Sequence, residues 1–219
     1  MKKYFELLKT VSLFKGIEES NLQPLLSCLS AKTVCYEKGQ TVLLGGESTK
    51  LFGIVLSGQV QIVQYDYYGN RSILASIDPG NLFAESFACA EIKKLPVNVI
   101  ATTESEILFI DCRRLAVPCT KACGFHSKLI QNMLNIVSMK NIYLTQKIEF
   151  TSKRTTREKL LAYLSAEAQK AGTNRFDIPF NRQELADYLS VERSAMSAEL
   201  SKLRDDGVLN FHKNQFKLL

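Results

Sequence analysis

Residues 181–203 read NRQELADYLSVERSAMSAELSKL, and their spacing decides how the chain is organised. Leu185, Ala186 and Leu189 form one apolar face, and Met196, Leu200 and Leu203 form a second. Both follow the i, i+3/i+4, i+7 spacing of a helix buried on one side. Asn181 followed three residues later by Glu184 is a capping-box pair, so the first helix is expected to start there. Ala186 is small enough for a close helix crossing, and Ser190 falls in the tight turn between the helices. The second helix carries Arg193, Ser194, Ser197 and Ser201 away from its apolar side. An ordinary helical hairpin with a solvated polar face has the same spacing, so the residues that follow must discriminate.

They do. Asp205-Asp206-Gly207 supplies a glycine stop to the second helix. Val208–Phe211 and Gln215–Leu218 then alternate around His212-Lys213-Asn214 as two short strands. A hairpin behind the second helix is the wing of a winged helix-turn-helix. In that motif the polar strip of the second helix enters the major groove of double-stranded DNA.

The 219 residues are 46% apolar, enough for two modest domains with real cores. No run of 18 uncharged apolar residues marks a membrane span. The start, MKKYFELLKT, lacks the apolar stretch of a secretory signal, which points to a cytoplasmic protein. The cysteines at 28, 35, 89, 112, 119 and 123 are accordingly expected to be reduced thiols. The net charge of +6 divides evenly between residues 1–150 and 151–219, so charge alone does not argue for nucleic acid.

Upstream, Glu18–Leu29 reads as a short helix with Leu22, Leu25, Leu26 and Leu29 on one face. From Val34 to Asp111 the pattern is short strands at Thr41–Leu44, Phe52–Leu56, Val60–Tyr65, Ile73–Ile77, Val97–Ala101 and Ile107–Ile110. Glycine turns separate them, which predicts an antiparallel roll. A helix is expected over Phe125–Glu149, with Ile130, Leu134, Val137, Leu144 and Ile148 along a near-heptad seam. Met133, Ile136 and Ile142 widen that seam beyond what one neighbour covers, which suggests self-association. A polar joint at 151–156 leads to another helix over Arg157–Gln169. The expected class is α+β: a β-roll over 1–124, a dimerisation helix over 125–150 and a winged helix-turn-helix over 151–219.

This order, with Lys38-Gly39-Gln40, Ser57-Gly58-Gln59-Val60 and Pro79-Gly80-Asn81-Leu82-Phe83-Ala84-Glu85, closely resembles the Crp/Fnr family of bacterial transcription regulators. The resemblance implies a homodimer on a pseudo-palindromic operator, an effector-binding β-roll resembling a cyclic nucleotide-binding domain, and RNA polymerase as a partner if the protein activates. In the cyclic-AMP branch a Gly-Glu pair and an Arg-Ser pair hold the cyclic phosphate. The first falls here on Ala84-Glu85 and the second on Leu95-Pro96. Leucine and proline offer neither the charge nor the side-chain donors that a phosphodiester needs. The branch's adenine-contacting Thr-Ser aligns near Asn141–Tyr143, where no such pair exists. The expectation is therefore an unknown small effector other than cyclic AMP, in a more apolar pocket at Phe83, Glu85, Ser86, Leu95, Pro96, Val97, Asn141, Ile142 and Tyr143. Lys93 and Lys94 lie close by in sequence and offer charge for another anion.

The family's redox branch holds an iron–sulfur cluster through cysteines near its start, but no cysteine precedes Cys28 here. Cys112, Cys119 and Cys123 are too loosely spaced to argue for a cluster or zinc. His126 and His212 lend little support to haem, and no metal or required cofactor is expected. No catalytic constellation stands out, so an enzyme is not expected.

The family's base-reading positions fall on Arg193, Ser194 and Ala198. Arginine bidentate to guanine is retained at Arg193, while Ser194 and Ala198 replace a glutamate and a second arginine. Ser197 adds a hydrogen-bonding group, and Arg182 and Gln183 match phosphate-anchoring positions. Two other readings stay open: a ligand-independent dimeric DNA-binding regulator, and a cyclic-nucleotide-sensing signalling module. The effector, the operator and the sign of regulation are not encoded legibly.

Overall fold

The computed structural model describes residues 2–116 and 125–219, which fall into two compact units, Met1–Ser138 and Met139–Leu219. The first unit opens with helices α1 (Phe5–Thr10) and α2 (Glu19–Cys28). Eight strands follow: β1 (Lys32–Tyr36), β2 (Thr41–Leu43), β3 (Leu51–Ser57), β4 (Val60–Tyr65), β5 (Arg71–Ile77), β6 (Leu82–Phe83), β7 (Asn98–Ala101) and β8 (Ser105–Asp111). Two five-residue helices, α3 (Glu85–Cys89) and α4 (Cys112–Ala116), flank the last two strands. The long helix α5 (Phe125–Thr151) begins in the first unit and ends in the second.

The strands form two antiparallel four-stranded sheets, ordered β1-β8-β3-β6 and β2-β7-β4-β5. Strand alternation explains where the cores lie. On β3 and β8, Phe52, Ile54, Leu56, Leu108 and Ile110 face one way, into a cluster with Leu22, Leu25, Leu29 and the start of α5. Val55, Ile107 and Phe109 face the other way, where Val42, Val60, Val99 and Ala101 from the second sheet meet them. Phe83 completes this inner cluster, edge-on to Phe109 with ring centroids 6.3 Å apart. Its ring lies over Gly53, where any Cβ would come within 2.1 Å of it. Gly58 is constrained in the same way at the β3–β4 turn, with φ +78° and a would-be Cβ 2.2 Å from the Glu104 carbonyl. The strands expected from the sequence are present, and β1 and the two-residue β6 complete the first sheet.

The second unit carries α6 (Thr156–Ala171), β9 (Arg175–Asp177), α7 (Arg182–Leu189), α8 (Arg193–Asp205), β10 (Leu209–His212) and β11 (Gln215–Leu218). Thr155 caps α6 reciprocally with Glu158. The hairpin gains a third strand, in the order β10-β11-β9, with all pairs antiparallel. Leu160, Leu164, Leu185, Leu189, Met196, Leu200, Leu203, Leu209 and Phe216 share one core.

One expectation is corrected. Cys89 and Cys112 are not separate thiols but a disulfide joining the end of α3 to the start of α4. The spacing of 23 residues hid it, because β7 and β8 run between them and return the chain to the same place. Cys35 is an exposed free thiol, and Cys119 and Cys123 lie outside the described residues.

Candidate nucleic-acid interface and effector domain

Helix α7 starts where its capping box places it. The Asn181 side chain accepts the Gln183 and Glu184 N–H groups at 2.9 and 3.0 Å, and the Glu184 carboxylate accepts the Asn181 N–H at 2.7 Å. The helix closes at Ser190, whose φ of +52° turns the chain sharply toward α8. Ala186 is fully buried at the crossing.

On α8, Met196, Leu200 and Leu203 have no exposed surface, while Arg193, Ser194, Ser197 and Ala198 are exposed. Ser201 is half-buried, and its hydroxyl donates to the Ser197 carbonyl at 3.2 Å. Of the expected strip, Arg193, Ser194, Ser197 and Ala198 thus share an exposed face with a single cation at its start. Glu199 points off that face toward α6, where it accepts from Arg157 at 3.3 Å, and Arg157 also donates to Asp206 at 2.8 Å.

Glu192 is the residue whose role the sequence concealed. It caps α8, accepting the N–H groups of Ser194 and Ala195 at 3.0 and 2.8 Å and the Ser194 hydroxyl. The Ser194 hydroxyl and then these N–H groups hold its carboxyl below the usual range for glutamate. Ser194 therefore presents acceptor lone pairs outward while its proton is engaged by the cap. A glutamate cap is less common than Asn, Asp, Ser or Thr, which is why residue type gave no signal.

Arg182 is half-buried beside the wing. Its Nη2 donates to the Lys213 carbonyl at 2.7 Å, and its guanidinium lies 5.0 Å from the Phe211 ring and 5.2 Å from the Phe216 ring. Burial lowers its pKa from the ordinary arginine value. The side chain ties the start of α7 to the β10–β11 turn and keeps other N–H donors unspent in that carbonyl bond. Gln183 is exposed and donates to Asp187 at 2.9 Å.

The residues expected to line an effector pocket are divided between the two units. Phe83, Glu85, Leu95 and Val97 are buried in the first unit, while Ser86 and Pro96 are exposed. Leu95 is held by its backbone, donating to the Glu47 carbonyl at 2.8 Å and accepting from the Gly46 N–H at 2.9 Å. Asn141, Ile142 and Tyr143 belong to the second unit, where Tyr143 lies 6.0 Å from the Tyr188 ring. A feature the sequence did not indicate is a groove of about 540 Å³ in the first unit, walled by Cys89, Cys112 and Leu115 on one side and Ile130, Met133 and Val137 of α5 on the other. Buried His126 sits nearby in sequence, with Nε2 3.2 Å from the Arg114 carbonyl.

Among the described residues no group of three or more His, Cys, Asp or Glu is placed to hold a metal ion. No helix among them is long and apolar enough to cross a membrane.

Comparison with known proteins matches this division. Residues 33–116 match the cyclic nucleotide-binding domain family, and residues 158–219 match the Crp-like helix-turn-helix domain family. The chain is 22% identical over 183 residues to the transcriptional activator protein FnrL of Cereibacter sphaeroides, covering 80% of this chain and 71% of that one. Among solved structures it is similar to DNR from Pseudomonas aeruginosa, with TM-score 0.51, 24% identity, and coverage of 100% of this chain and 95% of that one. It is also similar to CprK complexed with OCPA, with TM-score 0.62 and 12% identity over 90% of this chain and 89% of that one. At these identities the two structures speak for the fold alone.

Proposed function

We propose, for a chain that belongs to the Crp/Fnr family of transcription regulators, that α8 reads an operator through Arg193, Ser194, Ser197 and Ala198. The observation that carries this reading is the exposed strip opposite three fully buried core residues, beside a complete wing. Arg193 pairs bidentately with a guanine, Ser197 supplies a hydroxyl, and Ala198 meets a thymine methyl. Arg182 holds the wing and contributes a phosphate contact, with Gln183 alongside.

Two copies bind a pseudo-palindromic operator as a homodimer. Support comes from α5, whose seam residues Leu134 and Ile148 are 67% and 66% exposed in the single chain. A small effector in the N-terminal unit biases DNA binding. Cyclic AMP is disfavoured by Leu95 and Pro96, since one is buried apolar and the other lacks an N–H. RNA polymerase is the further partner if the regulator activates, and the cytoplasm is its compartment.

Random-site selection with Arg193→Ala tests the reading. Discrimination at one guanine per half-site is expected to fall by about 1–3 kcal/mol. An unchanged sequence preference overturns the groove assignment.

A further inference from the structure

We propose that Cys89 and Cys112 are a reversible redox modification site through which an oxidant reaches the DNA-binding equilibrium; its link to DNA rests on the function proposed above. The pair is bonded in this structure. Its Cα atoms are 5.7 Å apart, within the range a disulfide spans without backbone movement. Cys112 is fixed at the end of β8, its N–H donating to the Lys50 carbonyl at 3.0 Å. Asp111, just before it, receives Arg113 through the backbone N–H at 3.0 Å and through the guanidinium at 3.0 and 2.6 Å. Cys89 ends the five-residue α3, and the chain reverses at Glu91 with φ +50°.

The two sulfurs also differ in access. Cys89 is exposed, whereas Cys112 is half-buried against the apolar cluster under α1 and α2. That asymmetry assigns an order. A hydroperoxide is attacked by the Cys89 thiolate, which takes the distal oxygen as a sulfenic acid while the O–O bond breaks and water or an alcohol leaves. The Cys112 thiolate then attacks the Cys89 sulfur, forming the S–S bond and expelling hydroxide, which is protonated to water. Two thiols are thereby oxidised by two electrons, and the hydroperoxide is reduced. A dithiol reopens the bond by exchange and leaves as its own disulfide.

The position makes closure consequential. The pair forms one wall of the groove whose other wall is Ile130, Met133 and Val137 of α5. Residues of α3 neighbour those expected to meet the effector, and α4 ends at the segment that leads into α5. Closing the bond ties α3 to α4 and fixes that wall. Reduction frees two helices too short to stand alone.

The test uses the full chain, reduced with dithiothreitol or treated with stoichiometric hydrogen peroxide. Peptide mapping after alkylation is expected to find one new Cys89–Cys112 bridge, removed again by dithiothreitol. Affinity for the selected operator is expected to differ at least about 5-fold between the two states, and Cys89→Ser abolishes the difference. A variant with Cys28, Cys35, Cys119 and Cys123 all changed to serine keeps the response. If that variant misfolds, mapping and Cys89→Ser in the otherwise unchanged chain still decide. A bridge lacking either residue, equal affinities in the two states, or a response that survives Cys89→Ser overturns the proposal. A chain that selects no DNA in either state defeats the function proposed above, and the redox pair is then judged on peptide mapping alone.

Discussion

The two units place their sequence-singled residues in opposite ways. On α8 the residues picked for chemistry are exposed and those picked for packing are fully buried, so one helical period separates the roles. In the roll, several residues picked for chemistry are themselves packing: Phe83 fills the interior against Phe109 and Gly53, and Leu95 is buried. A helix sorts its faces by local spacing. Two facing sheets sort them by which strands meet, and a residue beside a binding site can also be part of the core.

The sharpest way to break this contrast is Phe83→Ala. As a core side chain it is expected to cost about 3–5 kcal/mol of stability, read by chemical denaturation of the N-terminal unit. A residue serving chiefly a ligand would instead leave the midpoint nearly unchanged. Gly53→Ala in the Phe83→Ala background should be milder than in the parent chain, because the ring that a new Cβ would strike is gone.

This difference also explains what was legible. The capping box at Asn181, the turn at Ser190 and the α8 strip depend on neighbours within a few residues, and each stands where its spacing put it. The glycine turns gave the strands of the roll, but β6 is two residues long and has no period to read. The Cys89–Cys112 bridge depends on β7 and β8 returning the chain to α3, a non-local fact. Arg182 was read only toward DNA, because Phe211 and Phe216 reach it through the fold of the wing and not along the chain.

A smaller effect sharpens the contrast on the DNA-binding side. Asn181→Ala removes the acceptor for two N–H groups at the start of α7. It is expected to cost about 1 kcal/mol, confined to the second unit and visible in its unfolding midpoint. Asn181→Asp should retain most of that stability, since its carboxylate offers the same acceptors. If Asn181→Ala and Asn181→Asp are equally destabilised, the cap contributes through something other than those bonds.

The smallest expected effect tests whether Glu192 is a cap or merely a carboxylate near the reading strip. Its folded pKa is depressed, first by the Ser194 hydroxyl and then by the Ser194 and Ala195 N–H groups. A depressed acid binds fewer protons folded than unfolded, so its stabilisation is fully present above the ordinary glutamate pKa, about 4.3. It is lost as pH falls through the lowered folded value. The melting-temperature gap between the parent chain and Glu192→Gln should therefore be level near neutrality and shrink on acidification below about pH 4. Because the group is exposed, the gap is modest and salt trims its charge-dependent part. A gap that widens toward acid means that the carboxylate is disfavoured in the folded helix, and the capping geometry of α8 would then have the wrong sign.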